Sequence, residues 1–208
     1  MSSMAFLLML AVYTVTNADA VLGKYKDETA TRRIHFPKPG RCNVGLLMNP
    51  DWDKLQGEWL EMAITRLSTH NEERYLQNYH QRLTYVSEEG TVYVANETGI
   101  WSNESGCLKW DYTYKTTKQP GVLAAVNEDG KILFEGFVVD IAYDYYMCAK
   151  YFADLDEYQF TLWSKKMFFS ASEVVNIVNR ISSDPCLREK RFYPVVQDGR
   201  CGLPPGQE

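Results

Sequence analysis

The most constraining feature of the chain is a run of eight short β-like segments joined by links too short to cross a sheet. They lie at 57–67, 80–87, 91–96, 107–116, 121–126, 131–139, 144–152 and 157–165. Ser87–Gly90 and Asn127–Gly130 are polar, glycine-ended hairpin loops, and Asp154–Glu157 is a short acidic turn. Parallel neighbours need a crossover of about a dozen residues or more, so consecutive strands here must run antiparallel. Eight meandering strands either split into two sheets or close, and closure leaves an interior sized for one small ligand. The expectation is an all-β, eight-stranded antiparallel up-and-down barrel. Ser170-Ala-Ser-Glu173 then has capping-box spacing, and Val174, Ile177, Val178 and Ile181 form one apolar stripe. That C-terminal α-helix should pack outside the barrel.

Two-residue alternation sorts the strand faces. Lys109, Asp111, Thr113 and Lys115 share one face, which leaves Trp110, Tyr112 and Tyr114 on the other. Lys131 and Glu135 mark an outer face and turn Phe134 inward. Lys150, read as an outside marker, turns Tyr145 and Met147 inward. With Tyr85, Tyr93 and Phe160, these residues make a candidate ligand-binding wall of π faces and hydroxyls, consistent with an aromatic content of 13% and 14 tyrosines.

Export is written at the N-terminus. Residues 1–20 read as a signal peptide, with an apolar run from Met4 to Val15 and a small-x-small site at Ala18-Asp19-Ala20. Removing it deletes one acid, Asp19, and no base, so the formal charge moves from −5 to −4. That balance gives no reason to expect nucleic-acid binding, and no apolar segment reaches the ~20 residues of a membrane span. Residues 21–41 form a basic N-terminal arm. Sequons at Asn96 and Asn103 are candidate glycosylation sites, and five cysteines in an exported chain imply disulfides.

Asp53-Lys-Leu-Gln-Gly57-Glu-Trp59 resembles the N-terminal motif of the lipocalin family, whose tryptophan closes the barrel floor. Gly40-Arg41-Cys42 is similar to the start seen in the apolipoprotein D, insecticyanin and crustacyanin group. Ile141–Tyr146 resembles the family's second motif, retaining only Tyr143 of Thr-Asp-Tyr. Where that family carries an arginine stacked on the motif tryptophan, Lys165 stands here, completing a floor set of Gly57, Trp59 and Lys165. The resemblance implies a lipocalin domain over 42–201 with a flexible tail at 202–208. By the same resemblance, and because Cys148 shares the face of Lys150, Cys42–Cys148 is the expected first bridge. Cys107–Cys201 is the expected second, with Cys107–Cys186 its rival and Cys186 the favoured free thiol.

The resemblance implies a secreted carrier of a small hydrophobic ligand: a bilin, a carotenoid, a retinoid or a fatty acid, with no cofactor required. A guest burying ~400 Å² of apolar surface gains roughly 10 kcal/mol, from which association removes at least ~4. An extracellular assembly role, through a homodimer crosslinked at Cys186, is the alternative. Catalysis is not expected. The sequence holds no Ser-His-Asp order, no metal-ligand cluster and no phosphate loop, and only Cys186 has basic neighbours to activate a thiol.

Overall fold

The computed structural model describes residues 50–69, 75–88 and 90–202. The signal-like segment, the basic arm and Cys42 precede that range and residues 203–208 follow it, so the readings made for them lie outside the described residues.

A 3₁₀ turn at Trp52–Leu55 leads into β1 (Gly57–Thr65). Then follow β2 (Leu76–Glu88), β3 (Thr91–Trp101), β4 (Leu108–Thr116), β5 (Val122–Val126), β6 (Ile132–Ile141), β7 (Tyr145–Phe152) and β8 (Glu157–Ser164). Each pairs antiparallel with the next, β8 returns to β1, and β1 meets β2 through Gly57–Leu60, so the eight strands close into a barrel. β2 and β3 extend beyond the expected runs, because the polar stretches Gln77-Asn78 and Glu97-Thr98 are strand rather than loop. Asn96 consequently projects from the exposed side of a strand and reaches Asp111 at 2.7 Å, whereas Asn103 is exposed in the β3–β4 loop.

Helix α1 (Ala171–Ser183) carries the capping box: Ser170 accepts from the Glu173 backbone, and Glu173 accepts from Ser170 N–H. The Ser170 amide, with Lys166 beside it, pulls the Glu173 carboxyl down to about 2. Asp184 ends α1 and caps a short second helix, α2 (Pro185–Arg188).

Two apolar layers hold these parts together. One fills the barrel, with Trp59, Tyr93, Tyr112, Phe134, Tyr146 and Trp163 among its members. The other lies between the barrel wall and the helices, and includes Tyr145, Met147, Phe160, Leu162, Ile177 and Leu187. Tyr145, Met147 and Phe160 therefore face outward toward the helices, reversing the face expected for them. The reason is Lys150. It is buried inside the barrel, and as an outside marker it inverted the whole of β7, a strand buried on both faces except at Phe152.

The same inversion corrects the cysteines. Cys148 points into the barrel, is buried and is a free thiol, so Cys42–Cys148 does not form. Cys186 is disulfide-bonded rather than free. Cys107 pairs with Cys201 across a Cα–Cα distance of 5.7 Å, which removes the rival Cys107–Cys186.

A ninth strand was not legible in the sequence. β9 (Phe192–Pro194) pairs with Ala63–Thr65 of β1, beyond the point where β1 and β2 part. Val195 N–H then donates to Met62, Asn78 N–H donates to the Val196 carbonyl, and the Gln197 amide bridges the carbonyls of Glu61 and Tyr79. The tail thus fills a gap in the wall, and Cys107–Cys201 pins its far end. The bridge spans a sequence separation of 94 residues. Replacing both cysteines by serine should lower the unfolding free energy by about 2–5 kcal/mol, read as a reduced urea midpoint, with a slope no shallower because the uncrosslinked unfolded chain is more expanded.

Candidate ligand site

The closed end of the barrel is sealed by its first motif. Gly57 takes a backbone φ of +116°, a conformation that disfavours any side chain, and this turns the chain from the 3₁₀ turn into β1. Trp59 is fully buried, and its indole N–H donates to the Leu55 carbonyl at 2.7 Å. Lys165 Nζ sits 4.7 Å from the centre of that ring, on its way out to Tyr143 at 5.4 Å. Tyr93 donates to the Trp52 carbonyl and completes the seal. Tyr85 lies at this same end, 44% exposed, with its ring edge-on to Tyr93. It is therefore no part of an internal wall.

Above the floor the lumen is filled rather than hollow. Tyr146 packs edge-on to Trp59 at 4.7 Å and stacks on Trp163. Trp110 meets Tyr79 at 5.6 Å, while Tyr112, Tyr114 and Phe134 contact one another edge-on. Trp110, Tyr112, Tyr114 and Phe134 face inward as the alternation required, but as packed core, and Tyr146 joins them through the inverted face of β7.

Charge is buried among them. Glu97 accepts hydrogen bonds from the hydroxyls of Tyr79 and Tyr112, and Lys150 Nζ stands 4.0 Å from its Oε1. The same ammonium lies 5.0 Å from the Phe134 ring and 5.4 Å from Trp163. Burial, followed by the Glu97 charge, pushes the Tyr79 and Tyr112 hydroxyls well above their usual range, so both remain donors. For Lys150, burial works against the charge. Glu97, with smaller contributions from Tyr114, Cys148 and Glu61, outweighs it and raises the ammonium above its ordinary value.

Glu61 is different. It follows Trp59 by two residues on the inward face of β1, is fully buried, and neither of its oxygens has a hydrogen-bond partner. Burial pushes its carboxyl up to about 8, against the pull of Lys150 and with the help of the Glu97 charge. Gln81, opposite Trp59 on β2, donates to the Tyr146 hydroxyl and leaves its own oxygen without a partner.

Over this cluster opens a pocket of about 390 Å³. Glu61, Lys150 and Gln159 line it together with Ile64, Leu76, Tyr79, Trp101 and the tail residues 193–196, and Arg66 and Tyr75 also border it. Arg66 lies 3.9 Å from the centre of the Tyr193 ring, so the tail supplies both a wall and a cation–π contact. Gly99 lets Tyr79 lie close against β3: a Cβ there would come within 2.6 Å of Tyr79 Cδ2.

None of the nine residues singled out as a ligand wall lines this pocket. Tyr93, Trp110, Tyr112, Tyr114 and Phe134 pack in the lumen around or below it, Tyr85 sits at the closed end, and Tyr145, Met147 and Phe160 face the helices. The residues that sequence reasoning passed over are Glu61, Tyr79, Trp101, Lys150 and the tail. Glu61 carried a usable signal, since two-residue spacing from Trp59 puts it on the inward face. A second, open hollow of about 300 Å³ lies under the floor beside Asp51, Asp53 and Lys165. Cys148 contacts the Thr161 hydroxyl at 2.8 Å, and burial raises its thiol pKa, which makes it a poor nucleophile.

No protein-family model and no curated protein matches the sequence. Solved structures do match in shape. Lobster apocrustacyanin A1 superposes with a TM-score of 0.57 at 15% identity, covering 73% of this chain and 82% of the other. The siderocalin Ex-FABP gives 0.53 at 15% identity, with 72% and 99% covered. The cockroach allergen Per a 4 gives 0.53 at 17% identity, with 74% and 94% covered. The shared feature is the lipocalin fold.

The raised Glu61 carboxyl has a consequence for stability. The folded state holds a proton that the unfolded chain releases near 4.5, so this contribution is complete below about 4.5 and is lost as pH rises through about 8. Stability should fall by up to roughly 1.4 kcal/mol per pH unit across that window. In Glu61→Gln that component of the slope should vanish, as measured by urea unfolding at pH 5, 7 and 8.5.

Proposed function

On a lipocalin fold with this interior, we propose that the chain is a secreted binding protein for one small amphiphilic molecule, held in the upper pocket. The observation that carries the reading is the pocket of about 390 Å³ whose base is a buried carboxylic acid beside a buried ammonium, under walls that are mostly apolar. That volume falls at the low end of the ~300–1,000 Å³ usual for ligand sites. A compact guest suits it better than an extended carotenoid or bilin, because the aromatic core already occupies the lumen below. A retinoid or fatty acid would enter with its polar end toward Glu61 and Lys150.

Simple energetics favour a polar anchor. A compact guest burying ~250 Å² of apolar surface gains about 6 kcal/mol, and association removes at least ~4. The remainder falls short of the ~8 kcal/mol of micromolar binding. The groups at the pocket base must supply the difference.

Three features support an extracellular setting: the signal-like segment 1–20, the Cys107–Cys201 disulfide, and the sequons at Asn96 and Asn103 on exposed surface. The readings that relied on a free Cys186, as a crosslink between two copies or as a nucleophile, lose that thiol to its disulfide. Binding rather than turnover is the reading we adopt.

Leu76 lines the pocket from β2. Replacing it by Trp should fill the space and weaken capture of retinol or a fluorescent fatty acid at least tenfold, with the circular dichroism of the barrel unchanged. Equal binding by the variant would move the site elsewhere.

A further inference from the structure

Among the described side chains of the lumen, the buried atoms without a hydrogen-bond partner are side-chain oxygens, both of Glu61 and that of Gln81, and with Glu61 ionised all three are acceptors. The neutral donors there are already used, and the charge of Lys150 is matched by Glu97. The Tyr79 and Tyr112 hydroxyls go to Glu97, the Gln81 amide goes to Tyr146, and the Trp163 indole goes to Thr161 at 2.9 Å. Lys150 faces Glu97 at 4.0 Å. Once Glu61 ionises, two carboxylates, Glu61 and Glu97, face one ammonium at this cluster. A ligand that completes this set brings hydrogen-bond donors and one positive charge, and it meets aromatic faces on the way in at Tyr79 and Trp101.

From these unfilled acceptors and the uncompensated carboxyl, we infer that the upper pocket is a site for a small organic monocation, a protonated amine with an apolar or aromatic body, whose ammonium sits against Glu61. This rests on the pocket reading above and names its ligand class. The ammonium donates N–H bonds to Glu61, and its positive charge balances the second carboxylate. Its body lies against Ile64, Leu76, Tyr79, Trp101 and the tail. An anionic guest would oppose ionisation of Glu61 and would compete with Glu97 for Lys150. Arg66 at the pocket edge lies over Tyr193, 3.9 Å from the ring centre, and is not among the charges that shift Glu61.

Capture of an amine is coupled to a proton. The groups that face Glu61 are Lys150, Tyr146 and Cys148 on β7, Glu97 on β3 and Tyr79 on β2, while the tail presents Tyr193 to the pocket. Among these, Glu61 is the group raised to about 8, so near pH 7 it is mostly protonated in the empty protein. An arriving ammonium favours the carboxylate, and the acid proton leaves to solvent.

Isothermal titration of the full chain at pH 7 tests this with three probes of similar size: 2-phenylethylamine, 2-phenylethanol and 3-phenylpropionate. The amine should bind at least tenfold tighter than either of the others. Titrations in buffers of different ionisation enthalpy should show release of close to one proton per site. Glu61→Gln should lose at least tenfold in amine affinity and lose the proton release. The release measured on the unsubstituted protein serves as the readout should the variant fold poorly. Tighter binding of the alcohol or the carboxylate, or amine binding with no proton released, would overturn the amine assignment and leave the pocket reading standing. Failure of all three probes, while retinol or a fatty acid binds and Leu76→Trp blocks it, would do the same. Failure of every probe would overturn both.

Discussion

An ammonium buried inside a β-barrel must find a counter-charge or give up its proton, and Lys150 finds Glu97 at 4.0 Å. Much of the interior is arranged around that pair. Tyr79 and Tyr112 turn their hydroxyls onto Glu97, Phe134 and Trp163 lie near the ammonium, and Tyr146 links Trp59 below to Gln81 beside it. Removing one partner would leave a bare charge in an aromatic core, which typically costs about 3–5 kcal/mol. The pair also sets the pocket's lower limit: below it the lumen is packed, and above it the space is open.

The strand plan was legible because its signals are local. Two glycine-ended loops and an acidic turn marked three hairpin links, two-residue alternation marked the inward faces of β4 and the start of β6, and the Ser170–Glu173 capping box marked the start of α1. The floor was legible as far as Gly57, Trp59 and Lys165, which come together at the closed end. What failed was a rule that assumes one wet face. β7 is buried on both sides, by the lumen within and by α1 and α2 without, so Lys150 could not mark the outside. Its inversion carried Tyr145, Met147, Cys148 and the Cys42–Cys148 bridge with it. Phe160 on β8 failed for the same reason: its partner across the ladder, Ala149, belongs to the outer layer.

The tail was missed for a different reason. Phe192–Pro194 is three residues of strand with no alternation of its own, and it exists because β1 and β2 diverge beyond Leu60 and leave unpaired backbone. Its place is set by long-range bonds from Asn78, Met62 and Gln197, none of which is a sequence pattern. The pocket combines both kinds of information. Glu61 is locally encoded by its spacing from Trp59, whereas the facing wall at residues 193–196 is a product of closure.

Glu61 is the centre of the site, a buried acid without a hydrogen-bond partner at the base of the pocket. Carbon-13 detection of the Glu61 carboxyl in labelled protein, titrated from pH 4 to 10, measures that directly. The structure predicts a midpoint near 8 in the empty protein, moving down when 2-phenylethylamine fills the pocket. A midpoint near the ordinary 4.5, unmoved by any ligand, would contradict it.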